Sequence, residues 1–167
     1  MNTRAAIAIV LLLASCSAPV YRGSGVRCSG GDWSAGISAS GSGPVGADQQ
    51  RMMSVIDSYM GTPYVYGGTT HDGIDCSGFT QAVYREIGMD IPRTASQQAE
   101  AARDVSPGNL EFGDILFFNT SGSGISHCGI YIGDGFFVHA SSSSGVRRET
   151  LANPYFASRI VGAGRFL

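Results

Sequence analysis

The strongest constraint on this chain is a change of hydrophobic period near Asp114. Before it, apolar residues recur every three or four positions; after it, they form short continuous runs beside tight turns. Asp48 opens a helical stretch to Met60, with Met53, Ile56 and Met60 on one face and Gly61 as the stop. Asp75 reads as the N-cap of a second helix, in which Phe79, Val83 and Ile87 recur every four residues until Gly88. Thr94 and Gln97 have the pattern of a capping box for a third, short helix through Arg103. Residues 115–118 then read as a strand, and 128–132 and 136–140 as two strands around Gly133-Asp134-Gly135. Residues 147–150 and 160–166 can supply two more. Helices followed by an antiparallel sheet define an α+β fold.

Two of the three histidines, His127 and His139, flank the hairpin. Side chains alternate along a strand, so loop length decides whether the two rings share a face. A two-residue loop at Asp134-Gly135 pairs Ile130 with His139 and separates the rings. A three-residue loop, 133–135, pairs Gly129 with His139 and brings them together. Gly135 suits the left-handed position of the longer loop, which is therefore expected.

Charge and composition narrow the function classes. Eleven basic residues, all arginine, face 13 acids for a formal charge of −2, which argues against a nucleic-acid partner. Hydrophobic residues at 43 % and charged residues at 14 % suit one real core rather than a disordered chain.

The first residues read as an export signal. After Arg4, residues 5–14 are an apolar run of about ten, whereas a membrane span needs about 20. Leu13-Ala14-Ser15-Cys16 resembles a bacterial lipobox. That resemblance implies a leader over residues 1–15, lipidation of Cys16, and a cell-envelope location at the outer membrane facing the periplasm. From Pro19 to Gly46, eight glycines and six serines in 28 residues describe a flexible tether with a reach of about 30 Å. The domain is then expected over 47–167. Cys28, Cys76 and Cys128 remain as thiols, an odd number that leaves at least one unpaired in an oxidising compartment.

Cys76 falls at the first turn of the second helix, where free amides and the macrodipole favour an anion. Free cysteines are more often small buried hydrophobes. The paired histidines tilt the reading towards a nucleophile, with one imidazole taking the thiol proton and the other orienting it.

Four segments carry a family resemblance: Gly61-Thr62-Pro63-Tyr64-Val65-Tyr66-Gly67-Gly68, Gly73-Ile74-Asp75-Cys76-Ser77-Gly78-Phe79, His127-Cys128-Gly129-Ile130-Tyr131-Ile132-Gly133 and Phe137-Val138-His139-Ala140-Ser141. With Cys-to-His and His-to-His intervals of 51 and 12, they resemble the NlpC-type cell-wall cysteine peptidases, especially lipid-anchored murein DL-endopeptidases. The resemblance runs from about residue 48 to the end. It implies a trimmed papain-like fold and a Cys-His-His triad: Cys76 as nucleophile, His127 as base, His139 as orienting member. It places Tyr64 near the site and gives Asp75, Ser77, Arg93 and Thr94 roles in holding a peptidoglycan stem peptide. Cleavage between D-glutamate and meso-diaminopimelate is implied, by a monomer attached to the membrane through its lipid, with no metal or cofactor. Asp75 would suit a cationic amine on the substrate, and Arg93 its carboxylates; Arg147 and Arg148 are expected at the surface. Cys128 departs from the family, which usually has valine there; it either packs as an apolar group or invites oxidation.

Rival readings are a zinc-type site from Cys76, Cys128, His127 and His139, an amidase cutting the sugar-proximal bond, and a non-catalytic wall-binding lipoprotein. Adjacent His127 and Cys128 should face opposite sides of a strand, which disfavours joint ligation. Cys28 can pair with Cys128 or with another chain. His71 is expected to be exposed, and residues 154–156 to cover one end of the sheet.

Overall fold

In a computed structural model the described residues are 46–167; the expected leader, Cys16, the tether and Cys28 lie outside them. Helix α1 (Ala47–Tyr59) leads to a two-stranded ribbon, β1 (Thr69–Thr70) and β2 (Gly73–Ile74). Helices α2 (Cys76–Glu86) and α3 (Ala95–Ala101) follow. The remainder is a sheet of β3 (Arg103–Asp104), β4 (Ile115–Phe118), β5 (His127–Gly133), β6 (Phe136–Ser141), β7 (Gly145–Thr150) and β8 (Ile160–Arg165), with α4 (Pro154–Ala157) before the last strand. The strands lie in the order β3-β8-β4-β5-β6-β7, with every neighbouring pair antiparallel. This is the expected α+β architecture. Among the described residues no helix is long and apolar enough to cross a membrane.

Each face of the sheet carries its own core. On one side Ile115, Phe117, Cys128, Ile130 and Val138 pack with Met52, Ile56, Phe79 and Val83 of α1 and α2. On the other, Leu116, Phe118, Tyr131 and Phe137 gather with Leu151 and Phe156. Burial on both faces explains why β4 reads as an unbroken apolar run rather than an alternating one.

Three local expectations are corrected. Helix α1 buries Met52, Ile56 and Tyr59, not the Met53–Ile56–Met60 face; Met60 is 44 % exposed. Its N-cap is Gly46, and Asp48 lies inside the first turn, where a carboxylate favours the helix dipole. Helix α3 ends at Ala101 because Arg103 leaves to pair with Arg165 in β8.

The third concerns the hairpin. Its loop is the two-residue Asp134-Gly135, with φ of 51° and 76°, both positive as a type I′ turn requires. A register shift between Tyr131 and Gly133 inserts one residue, so Ile130 pairs with Val138. Continuing that register sets Gly129 beside His139, the outcome expected of a three-residue loop, reached here by a bulge.

Gly129 has no room for a side chain. A Cβ there would stand 2.9 Å from the Phe137 ring, 2.9 Å from the Val138 carbonyl oxygen and 3.0 Å from the His139 Cβ. Overpacking of this kind costs about 1–3 kcal/mol. Gly129→Val should lower the urea midpoint of unfolding by a corresponding amount; an unchanged midpoint would show that the strand yields freely there.

Candidate active site

Cys76 is placed by a short weave of backbone. Ile74 N–H donates to Pro63 (3.0 Å), Val65 N–H to Ile74 (3.2 Å) and Asp75 N–H to Gly68 (3.2 Å), which fastens the 63–68 loop across the start of α2 and brings Tyr64 to its mouth. Asp75 then caps the helix by accepting from Gly78 N–H at 2.7 Å. Its carboxylate also accepts from Gly67 N–H (2.9 Å), from the Ser77 hydroxyl (3.3 Å) and from both Arg93 amino groups (2.9 and 2.7 Å). Arg93 further donates to the Ser77 hydroxyl oxygen at 3.0 Å. Burial alone would raise the Asp75 pKa; the Arg93 hydrogen bond and the Gly78 amide overcome it and hold the group below its ordinary value.

Beneath the first turn of α2 lies a buried polar network that the sequence did not advertise. The Thr80 hydroxyl donates within reach of both Gln98 Oε1 (2.8 Å) and the Ser77 carbonyl (2.9 Å). Gln98, with no exposed surface, donates from Nε2 to the Ser77 and Pro92 carbonyls at 3.1 and 2.8 Å. The Cys128 thiol reaches this network from β5, 3.7 Å from Gln98 Oε1 and 3.9 Å from the Thr80 hydroxyl. Gln98 had one weak signal: it sits between Ala95 and Ala99, on the side of α3 that is buried.

On the opposite face of the sheet His127 and His139 meet, Nε2 to Nδ1 at 2.8 Å, with ring planes at 88°. Phe156 of α4 packs against both rings, 6.3 and 5.0 Å between centroids. Of residues 154–156, Phe156 thus wedges the histidine pair, a role that the expected cover for the sheet end did not include. Burial, then the His127 charge and Arg147, lower the His139 pKa to about 3, so its ring is neutral at any physiological pH. His139 Nε2 is buried without a partner among the described residues.

Cys76 itself is 7 % exposed. Its pKa is held far below the ordinary thiol range, first by a hydrogen bond from the Cys128 side chain and next by the hydrogen bond and charge of His127; these outweigh burial. The single Cys128 proton has two acceptors, Gln98 Oε1 and the Cys76 sulfur, and a charged acceptor makes the stronger bond. Burial, then the Cys76 contact, pushes Cys128 above its ordinary value, so the pair holds one charge, on Cys76. Burial, then the Cys76 and Asp75 charges, raise the Tyr64 pKa, which keeps its hydroxyl a proton donor.

A groove of about 410 Å³ runs past Cys76, lined by Tyr64, Tyr66, Asp75, Ser77, Arg93 and Thr94 with Ser126 at one end. A second hollow of about 230 Å³ begins at the next residue, His127, and includes His139, Arg147, Glu149 and Tyr155. Six of the eight expected site residues within the domain thus line the groove, and the other two, His127 and His139, line the second hollow. Asp75 does not offer a free carboxylate, because Arg93 and two backbone amides already engage it. Thr94 caps α3 at 3.3 Å from Gln97 N–H. Arg147 and Arg148 are both exposed, as expected; Arg148 covers the Phe136 ring, and Arg147 pairs with Glu149 at 3.6 Å beside the second hollow. His71 is exposed and stacks on Tyr59, away from this surface.

A cysteine at a helix start facing histidines on an antiparallel sheet is the layout of a papain-like domain. The chain belongs to the NlpC/P60 family, whose profile matches residues 61–165. It is 42 % identical over 120 residues to murein DD-endopeptidase MepS/murein LD-carboxypeptidase of Escherichia coli K12, covering 71 % of this chain and 63 % of that protein. It is 43 % identical over 113 residues to gamma-DL-glutamyl hydrolase of Bacillus subtilis 168, covering 66 % of this chain and 27 % of that protein. Among solved structures, an NlpC/P60 family protein from Bacillus cereus ATCC 10987 superposes with a TM-score of 0.68 at 31 % identity, over 74 % of this chain and 41 % of that one. The chain thus spans under two thirds of each of these relatives.

The Asp75–Arg93 pair gives a test with a definite sign. A carboxyl whose folded pKa is depressed contributes stability above its unfolded value of about 3.9 and loses it as pH falls through the folded value. Arg93→Gln should therefore be less stable than wild type at pH 7, with the difference narrowing as pH falls below about 4. Urea unfolding at several pH values measures it; a pH-independent difference would mean that the pair acts through packing alone.

Proposed function

We propose that the domain is a cysteine endopeptidase of peptidoglycan stem peptides, with Cys76 as nucleophile, His127 as general base and acid, and His139 as the orienting member. The observation that carries this reading is the Cys76 sulfur, held ionised at a helix start between a thiol donor and an imidazole, at the floor of an open groove.

The thiolate attacks a peptide carbonyl lying in the groove. Cys76 opens α2, so its N–H belongs to the first-turn donors that lack an intrahelical acceptor and can bind the developing oxyanion, with the Tyr64 hydroxyl as a second donor. His127, carrying the proton, delivers it to the departing amine. It then activates water to release the thioester. The neutral His139 ring accepts from His127 Nε2–H and fixes its orientation without adding a charge. The leaving segment lies on the His127 side, towards the hollow with Arg147 and Glu149.

The bond cut is the one between D-glutamate and meso-diaminopimelate, and the anchor on Cys16 holds a monomeric enzyme at the periplasmic face of the outer membrane. A relative named gamma-DL-glutamyl hydrolase is consistent with cleavage at a glutamyl bond. A relative named DD-endopeptidase and LD-carboxypeptidase supports a second reading, a bond nearer the end of the stem. Mass spectrometry of products from defined tri- and tetrapeptide muropeptides and cross-linked dimers separates these, and separates both from amidase cleavage next to the sugar.

Cys76→Ala should abolish muropeptide cleavage while leaving the unfolding transition in place; residual turnover would exclude the mechanism. Tyr64→Phe should lower kcat by about 10²–10³, the usual cost of one oxyanion donor. In wild type, alkylation of Cys76 by iodoacetamide should change little between pH 8 and pH 6. An ordinary thiol would slow on the order of 10²-fold over that range.

A further inference from the structure

Cys128 is more than filler in the core. It sits on β5 with no exposed surface, and its sulfur lies 3.9 Å from the hydroxyl of Thr80, four residues past Cys76 on α2. Residues four apart share a helix face, so Cys128 lies under the face that Cys76 begins. The Cys128 thiol also lies 3.7 Å from Gln98 Oε1, and both Gln98 and Thr80 bond the carbonyl of Ser77, the residue after Cys76; the two cysteines belong to one core cluster. A small apolar group would fill this space; a thiol adds chemistry. Only one of the two sulfurs is open to the groove.

We infer that Cys76 and Cys128 form a reversible oxidation couple, in which a peroxide oxidises Cys76 and Cys128 captures the product as a disulfide that silences the site. This rests on Cys76 being the reactive nucleophile. In the first step the Cys76 thiolate attacks one oxygen of hydrogen peroxide; the O–O bond breaks, sulfur loses two electrons, and sulfenic acid and hydroxide result. In the second, the Cys128 sulfur attacks the sulfenic sulfur; the S–O bond breaks, and the Cys128 proton leaves with the hydroxyl group as water. No further oxidant is needed. A dithiol reductant reverses the bond and restores both thiols.

The arrangement divides the labour between an accessible sulfur and a sheltered one. Peroxide reaches Cys76 through the groove, whereas Cys128 is reached only by Cys76. Capture at the sulfenic stage also keeps Cys76 from the sulfinic and sulfonic acids, which thiols do not reduce. The cost is an enzyme that stops when peroxide is present and resumes when it is removed.

The test uses the reduced full chain, with one aliquot assayed for iodoacetamide labelling of Cys76 and a second, unlabelled aliquot treated with a few equivalents of hydrogen peroxide. Intact mass, non-reducing peptide mapping and muropeptide turnover are followed before and after dithiothreitol. We expect the mass to fall by two hydrogens, a Cys76–Cys128 linked peptide to appear, turnover to vanish, and dithiothreitol to restore it nearly fully. In Cys128→Val, peroxide should instead carry Cys76 past the sulfenic stage to the sulfinic acid, two oxygens heavier, and dithiothreitol should not restore turnover. If that variant does not fold, the wild-type linkage map decides alone. Sulfinic Cys76 without a linked peptide, or a link from Cys76 to Cys28, would overturn the couple. Absence of labelling in the reduced protein would overturn the nucleophile reading instead; labelling without linkage overturns only the couple.

Discussion

The domain is organised around a negative sulfur packed where a helix end meets a sheet. Removing an ion from water is costly unless donors replace the water. Here the donors come from opposite directions: Cys128 from β5 inside the core, His127 from the strand's first residue at the rim. Neither would reach Cys76 unless α2 lay flat on β5. That contact is secured by Phe79 and Val83 against Ile130 and Val138, and by the Gln98 network that ties α2, α3 and the Pro92 turn into one unit.

A histidine at position 139, the proposed orienting member, suits the same economy of charge. Phe137, Phe118 and Phe156 surround the His pair, and an aspartate in that apolar setting would need strong compensation. A neutral imidazole avoids this. Its unpartnered Nε2 is the remaining cost, and the face-sharing register of β5 and β6 is what lets the ring meet His127. The bulge between Tyr131 and Gly133 therefore controls chemistry several residues away: without it the two rings would lie on opposite sides of the sheet.

Much of this was legible in the sequence because it depends on local pattern. The Asp75 and Thr94 caps, the Gly88 stop and the five longer strands announce themselves by residue type and spacing. The shared face of His127 and His139 was also legible, through strand parity. What escaped depends on tertiary choice. Two overlapping stripes run along α1, and only packing against Phe79 selects Met52, Ile56 and Tyr59 over Met53 and Met60. Arg103 carries no sign that a two-residue strand will claim it. Phe156 and Gln98 are distant in sequence from the residues they support, and neither residue type points to its partners. The ribbon of β1 and β2 is too short for any periodicity, yet it delivers the chain to Asp75.

Asp75 exposes a conflict that the fold has to resolve. A helix start needs a capping carboxylate, but here that carboxylate adjoins a sulfur that must itself be negative, and like charges raise each other's pKa. Its field adds to the burial and the Cys76 charge that raise both Tyr64 and Cys128. Arg93 reconciles the two requirements. Its fork engages both Asp75 oxygens, cancels most of the outward charge and leaves the Gly78 cap intact. A lysine would cancel the charge but could not hold both oxygens and the Ser77 hydroxyl in one plane. The pair expected to grip substrate thus first makes the thiolate tolerable, and any substrate contact by Arg93 has to use the donor capacity left after Asp75, Ser77 and the Gly68 carbonyl are served.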